Sequence, residues 1–317
     1  MAGHMDIKQH SQSADHAKSP STSQQPNPQE ATISIIIPAK NESQGLRTLL
    51  PLIRQHHRNA EIIVVDDGST DDTTHICKEA GVRLISHRYP MGNGASIKTG
   101  ARAAHGEILV FMDGDGQHRP EDISPLLDKL IEGYDMVVGA RSWGSQAGLR
   151  RAVGNGLYNT LASWMTGRKI EDLTSGFRAV YADKFRKFLY LLPNGFSYPT
   201  TITMAFFRSA YAVTYVPIQT KMRQGQSNIK ILKDGIRFFI IILRVGSLFS
   251  PMRLFLPVSF LFFVLGALHY SYTYFTAGRF TNMSALMFIA SMLTFLIGIV
   301  SEQVSSLHYR DAGEDKK

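Results

Sequence analysis

Ile108-Leu-Val-Phe-Met112 runs directly into Asp113-Gly-Asp115-Gly-Gln117-His118. An uninterrupted apolar run of this length, closed by turn residues, reads as a buried strand. Two carboxylates one residue apart therefore stand at the end of a rigid element. Such a pair suits a hard divalent cation that keeps several waters and shares its remaining positions with phosphate oxygens. Taken alone, the same string also describes an ordinary acidic turn. A second strand upstream ends in the same way: Glu61-Ile-Ile-Val-Val65 is followed by Asp66-Asp67-Gly68-Ser69. A carboxylate there can accept hydrogen bonds from a base or a ribose.

Outward from these two strands the pattern is regular. Ile33-Ser-Ile-Ile-Ile37 reads as a buried strand closed by Pro38, with Asn41 as N-cap of a helix through Leu46, Leu49, Leu50 and Ile53. A helix capped by Asp71 or Asp72 runs to Ala80, Val82 to Ile85 form a short strand, and a helix spans about Ala95 to Ala104. Strand and helix alternate at the pace of βαβ units, so the front of the chain is an α/β domain with a mainly parallel sheet. In such sheets ligands gather at the carboxyl ends of the strands, where both acidic strings lie. After Met136-Val-Val-Gly139 the pattern is less regular through about Gln226.

The back of the chain has a different character. Ile229 to Leu248 mixes Lys and Arg with Ile and Phe, as an amphipathic helix in a membrane interface does. Leu254 to Gly278 and Phe280 to Ser301 then carry almost no charge, and each exceeds the ~20 residues needed to cross a hydrocarbon core. Tyr270, Tyr272, Tyr274 and Phe275 gather at the far end of the first, like an aromatic belt. Lys and Arg abound before Leu254 and recur at Arg310, Lys316 and Lys317, whereas the connecting turn carries only Arg279. By the positive-inside rule, the large domain and both termini face the cytoplasm from a multi-pass cytoplasmic (inner) membrane protein. The expected divisions are a disordered tail over 1–30, a catalytic domain over 31–228, juxtamembrane helices over 229–250, two transmembrane helices over 251–304 and a cytoplasmic tail over 305–317. The opening Met1-Ala-Gly-His-Met5 looks like an expression-vector remnant, because a second Met follows at once.

Composition narrows the chemistry. The 317 residues carry a formal net charge of +8. Because Lys221, Arg223, Lys230, Lys233, Arg237, Arg244 and Arg253 precede the apolar segments, this charge points to membrane lipids and not to nucleic acid. The single cysteine, Cys77, excludes an internal disulfide and a Cys-rich metal site, and is assigned to a helix face. The eleven histidines show no ligand spacing; His56, His57, His75 and His87 read as surface residues. Gly92-Asn-Gly94 with Lys98 resembles a weak phosphate cradle at a helix N-terminus. Arg141, Arg151 and Arg223, together with Ser227 and Lys230, fall on the membrane side of the acidic strings. Guanidinium groups there suit phosphate recognition.

These strings together resemble glycosyltransferase family 2, within it the polyprenyl-phosphate sugar transferases such as dolichyl-phosphate mannose synthase and its bacterial relatives. The resemblance rests on Ile35-Ile-Ile-Pro-Ala-Lys-Asn-Glu42, Val64-Val-Asp-Asp-Gly-Ser69, Asp113-Gly-Asp-Gly-Gln-His118, Gly139-Ala-Arg141, Asp172-Leu-Thr-Ser-Gly-Phe-Arg178 and Arg223-Gln-Gly-Gln-Ser227. The tail looks like the membrane hairpin of the bacterial members.

The resemblance implies a GT-A fold and inverting, metal-dependent transfer of a sugar from a nucleotide-sugar donor, UDP-sugar favoured, to a polyprenyl phosphate, undecaprenyl phosphate favoured. By that likeness, Pro38, Ala39, Glu42, Asp67 and Asp113 line the nucleotide pocket. Asp113, Asp115 and Gln117 hold Mg²⁺ or Mn²⁺. Asp115, Arg141 and Arg223 carry catalysis, and Arg151, Ser227 and Lys230 meet acceptor phosphate. A homo-oligomer is compatible with all of this. Many relatives place an acidic residue soon after the Gly-Phe that here reads Gly195-Phe-Ser-Tyr-Pro199, so that acid's role does not carry over. The rival readings are transfer to diacylglycerol or a polysaccharide, and an inactive membrane scaffold.

Overall fold

The computed structural model describes residues 31–141, 149–195, 197–220 and 246–313, with backbone alone at 149–155, 157 and 308–313. The disordered tail expected over 1–30 lies outside the described residues. So does the interface helix expected from Ile229, apart from a helical turn at 246–249.

Seven strands form one sheet in the order β3-β2-β1-β4-β6-β5-β7. They are β1 Ile33–Ala39, β2 Glu61–Asp66, β3 Arg83–Ser86, β4 Ile108–Phe111, β5 Met136–Arg141, β6 Arg178–Tyr181 and β7 Val213–Ile218. The helices are α1 Ser43–His56, α2 Thr73–Glu79, α3 Asn93–Ala103, α4 Ile123–Ile131, α5 Leu149–Thr166, α6 Ala182–Arg186 and α7 Tyr198–Arg208. β1 pairs in parallel with β2 and β4, and β2 with β3. β6 runs antiparallel between β4 and β5, while β7 is parallel to β5. Within the stretch after Gly139 that reads as irregular, the described residues include β6 and β7, the two strands that complete the sheet.

Alternation along the strands assigns side chains to two buried faces. Ile35, Ile37, Ile62 and Val64 pack with α1, α2 and α4, whereas Ile36, Ile63, Val65 and Phe111 pack with α3, α5, α6 and α7. On α1 the buried residues Leu46, Leu49, Leu50 and Ile53 recur at helical spacing. Each contributes about 1.5–3 kcal/mol by leaving water.

Two local expectations fail for identifiable reasons. β1 does not stop at Pro38, which pairs in register with Val65. Ile36 O accepts from Met112 N on the β4 side at 3.1 Å. Pro38, two residues on, faces that same side beyond the end of the β4 ladder, so its missing N–H costs no strand bond. Asn41 is not an N-cap. It adopts a left-handed φ of 57°, and its Oδ1 accepts from Thr70 N at 2.8 Å, joining the loops after β1 and β2. The first amide of α1, Ser43 N, donates instead to Asp71 Oδ2 at 3.1 Å.

Two long helices follow the domain, α8 Pro251–Ala277 and α9 Asn282–Gly313, and pack against one another as a hairpin. Both are long and apolar enough to cross a membrane. Between them, Ser259 Oγ donates to Ser291 O and Ser291 Oγ to Ser259 O, each at 2.9 Å. Small hydroxyl residues that satisfy one another in this way are a common device for joining helices in lipid. Phe260, Leu268, Tyr272 and Phe275 project outward and exposed, as side chains that meet hydrocarbon do.

Candidate active site

β1, β2 and β4 all end at the same edge of the sheet, so their acidic termini converge. Pro38, Ala39, Glu42, Asp67, Asp113 and Asp115 line a single cavity of about 670 Å³ there. Gln117 lies in an adjoining cleft of about 920 Å³, which shares Lys40, Glu42 and Asp115 with the first. The sequence-derived nucleotide and metal residues are thus neighbours in space.

Packing holds the carboxylates in place. Asp115 Oδ1 accepts from Gln117 N at 3.1 Å, fixing the turn after β4. That turn rests directly on α1: a Cβ at Gly45 would stand 2.9 Å from the Asp115 carbonyl carbon and would overlap the Gly114 oxygen. His118 is buried, stacks on Phe177 with centroids 4.9 Å apart, and places Nε2 3.6 Å from Asp113 Oδ2. Sequence alone places His118 at the end of the acidic string but gives it no role.

Asp67 is tied more tightly than a plain Asp-Gly turn requires. Its Oδ1 accepts from Met91 N at 2.7 Å and from His87 Nδ1 at 2.8 Å, and its Oδ2 from Gly92 N at 2.8 Å. Burial alone would raise its carboxyl; the bonds from His87, Met91 and Gly92 outweigh burial and hold it below the ordinary range. His87 is therefore not a surface residue. Its side chain is only 8% exposed, and its Nε2 lies 3.0 Å from Thr99 Oγ1.

The phosphate cradle suggested by Gly92, Gly94 and Lys98 is occupied by the protein itself. Ala95 N donates to Asn194 O at 3.1 Å, and Lys98 Nζ donates to Leu192 O at 3.0 Å and to Asn194 Oδ1 at 2.6 Å. The start of α3 thus anchors the loop before α7.

Arg141, at the end of β5, grips Asp172 in a two-pronged contact: Nε to Oδ2 at 2.7 Å and Nη2 to Oδ1 at 2.9 Å. Nη2 also reaches Thr174 Oγ1 at 2.6 Å. Burial pushes the Asp172 carboxyl up, but the hydrogen bonds and charge of Arg141 bring it below the ordinary range. Burial also opposes the Arg141 charge, and Asp172 and then Asp113 more than restore it. Among the described residues Arg141 lines neither of these two cavities, although the charge of Asp113 as well as that of Asp172 favours its protonated form. Arg151 lies on α5, where only the backbone is described. Arg223, Ser227 and Lys230 lie outside the described residues.

The donor set fits a magnesium-like ion. Two carboxylates at the end of one rigid strand face a cavity large enough for phosphates and water to complete an oxygen shell. Among the described residues no three His, Cys, Asp or Glu side chains form a closed metal cage.

Comparison with known proteins agrees with this layout. Residues 34–189 match the Glycosyl transferase family 2 profile, and residues 250–307 match the GtrB C-terminal hairpin. Glycosyltransferase AglJ of Haloferax volcanii is 26% identical over 297 residues, covering 89% of this chain and 96% of that protein. The polyprenol monophosphomannose synthase of Mycolicibacterium smegmatis is 31% identical over 214 residues, 60% of this chain and 77% of that one. Among solved structures, glucosyl-3-phosphoglycerate synthase from Mycobacterium tuberculosis, in complex with Mn²⁺, UDP and glucosyl-3-phosphoglycerate, superposes with a TM-score of 0.57. It is 21% identical over 70% of this chain and 81% of that one, and shares the GT-A-like fold. With the acidic strand ends gathered at one sheet edge and an apolar hairpin behind them, the chain belongs to glycosyltransferase family 2.

Proposed function

We propose that the protein transfers a sugar from a nucleotide-sugar, UDP-sugar favoured, to a polyprenyl phosphate, undecaprenyl phosphate favoured, with inversion at the anomeric carbon. The observation that carries this reading is the single cavity shared by Pro38, Ala39, Glu42, Asp67, Asp113 and Asp115, in a domain joined to an apolar hairpin. The similarity to a polyprenol monophosphomannose synthase supports the acceptor class.

In this reading Asp67 meets the base, while Pro38, Ala39 and Glu42 shape the wall beside it. Asp113, Asp115 and Gln117 would hold Mg²⁺ or Mn²⁺, which would supply positive charge to the departing diphosphate. The fold-level neighbour that holds Mn²⁺ and UDP is consistent with that assignment. Arg141 adds a fixed cation on the Asp113 side. Arg151, Arg223, Ser227 and Lys230 are assigned to the acceptor phosphate or to closure over the donor. A lipid monophosphate is already anionic near neutral pH, so its oxygen can attack without a dedicated base. The protein's task is to bring two phosphates together and stabilise the leaving group.

The test is a screen of purified protein with UDP- and GDP-sugars and undecaprenyl phosphate, with Mg²⁺ or Mn²⁺, read by glycolipid formation. Product from a polyprenyl phosphate and none from diacylglycerol supports the reading; the reverse removes it. In this reading the domain and both termini face the cytoplasm, so a tag in the 276–281 turn should be reached only from outside the cytoplasm.

A further inference from the structure

Helix α7 is held at both ends, and the two ends belong to different parts of the molecule. At its first turn the Tyr198 hydroxyl donates to Gly176 O at 3.3 Å. A Cβ on Gly176 would stand 3.3 Å from both Asp113 Oδ2 and that hydroxyl, so the start of α7 abuts the carboxylate pair. Arg178, fully buried in β6, donates to Pro199 O at 3.3 Å and to Thr203 Oγ1 at 3.2 Å, and also to Ser175 O. A buried guanidinium that donates to the backbone oxygens of Ser175 and Pro199 and to the Thr203 hydroxyl ties those segments together, because a shift would cost bonds to a charge held in the core.

At its last residue, Arg208 Nη2 donates to Glu302 Oε1 of α9 at 2.6 Å. The other oxygen of Glu302 accepts from Met252 N, in the first turn of α8, at 3.4 Å. One carboxylate thus joins the end of α7 to both legs of the hairpin. Neighbouring bonds reinforce the joint: Ser250 Oγ donates to Met165 O at 3.0 Å, and Arg253 Nη1 to Trp164 O at 2.5 Å. Between its two ends, α7 is buried from Tyr198 through Phe206. Its eleven residues span about 16 Å at the helical rise.

We propose that α7 is a strut that sets the height of the active site above the bilayer, and that Arg208 and Glu302 are positioning residues for the lipid-borne acceptor. This rests on the reading that the acceptor is a polyprenyl phosphate held in the membrane. The depth of such a phosphate is set by its chain in the bilayer, so the protein must bring the reacting sugar to that depth. An acceptor free in detergent adjusts its own position and does not need the strut.

The experiment compares Arg208→Glu, Glu302→Arg and the double swap with wild type. Each is assayed with long-chain polyprenyl phosphate in vesicles and with a short-chain polyprenyl phosphate in detergent. Each single variant should lose roughly tenfold to a hundredfold in vesicles, the scale of small misplacements of a reacting group. The short-chain rate should stay within about twofold, as expected for a half-exposed ion pair far from the chemistry. The double swap should recover most of the vesicle rate. Unchanged single variants in vesicles, equal losses with both acceptors, or a double swap no better than the singles would each overturn the strut. Amide exchange over 205–209 and 250–254, faster in the singles and restored in the double, tests the joint without turnover. A wild type that makes no glycolipid from either acceptor would instead remove the acceptor reading and leave the exchange result standing.

Discussion

His87 Nδ1 stands 2.8 Å from Asp67 Oδ1, with the imidazole almost wholly buried and its other nitrogen against Thr99. A carboxylate only accepts, so Nδ1 carries the proton and His87 orients the Asp67 oxygens toward the cavity. His87→Ala should weaken donor binding by roughly tenfold to a hundredfold, about one hydrogen bond to a charged group, while kcat changes less. Isothermal titration with the donor nucleotide, beside steady-state kinetics, separates the two effects. An unchanged affinity would make His87 a packing residue only.

Asp115→Asn should keep the fold and remove most turnover. Losing charge stabilisation at the leaving group costs several kcal/mol of barrier, or roughly a hundredfold to a thousandfold in rate. EDTA should abolish wild-type activity, and Mg²⁺ or Mn²⁺ should restore it. Circular dichroism checks the fold, and a variant with wild-type turnover would remove the metal role of Asp115.

Asp172→Asn keeps size but takes the counter-charge from Arg141, whose grip on Asp172 is the closest ion pair around the site. Stability should fall by about 2 kcal/mol or more, since a partly buried guanidinium is left unpaired. Turnover should fall with it, because Arg141 loses its aim. Urea unfolding measures the first effect and steady-state rates the second. Loss of activity with no loss of stability would show that Asp172 meets substrate directly.

Acid stability should depend on Glu61. Burial would raise its carboxyl, but bonds from the His105 amide, Ser34, the His105 ring and Arg83 bring it down to about 2. A carboxyl lowered on folding stabilises the native state above its unfolded value of about 4.3. That contribution is lost as pH falls from there toward about 2. Thermal unfolding followed from pH 6 to pH 3 should therefore decline more shallowly for Glu61→Gln than for wild type, from a lower starting point.

The half of the fold built from Ile33 to Phe111 is legible because its central strands carry apolar runs and alternate with helices whose apolar residues recur at helical spacing. The carboxylates at Asp67, Asp113 and Asp115 follow from that pattern alone, since strand ends in a parallel sheet share one edge. The insertion of β6 is not legible. It is only four residues long, begins with a buried arginine, and inserts antiparallel between β4 and β5, two successive strands that both precede it in the chain. Asn41 misleads because the same side chain that caps helices also tolerates the left-handed region. His87 reads as surface because nothing local reveals that Asp67, twenty residues earlier, folds back onto it.

Cys77 has a practical consequence. It is buried on α2, and burial together with the charge of Asp66 pushes its thiol up to about 11. Near neutral pH little of it is then present as the reactive thiolate. Spectroscopic probes attached through new surface cysteines, for instance one in the 209–212 turn and one beside Glu302, would therefore report selectively from those sites. The separation of catalytic domain and hairpin can be followed in lipid with the native thiol left in place.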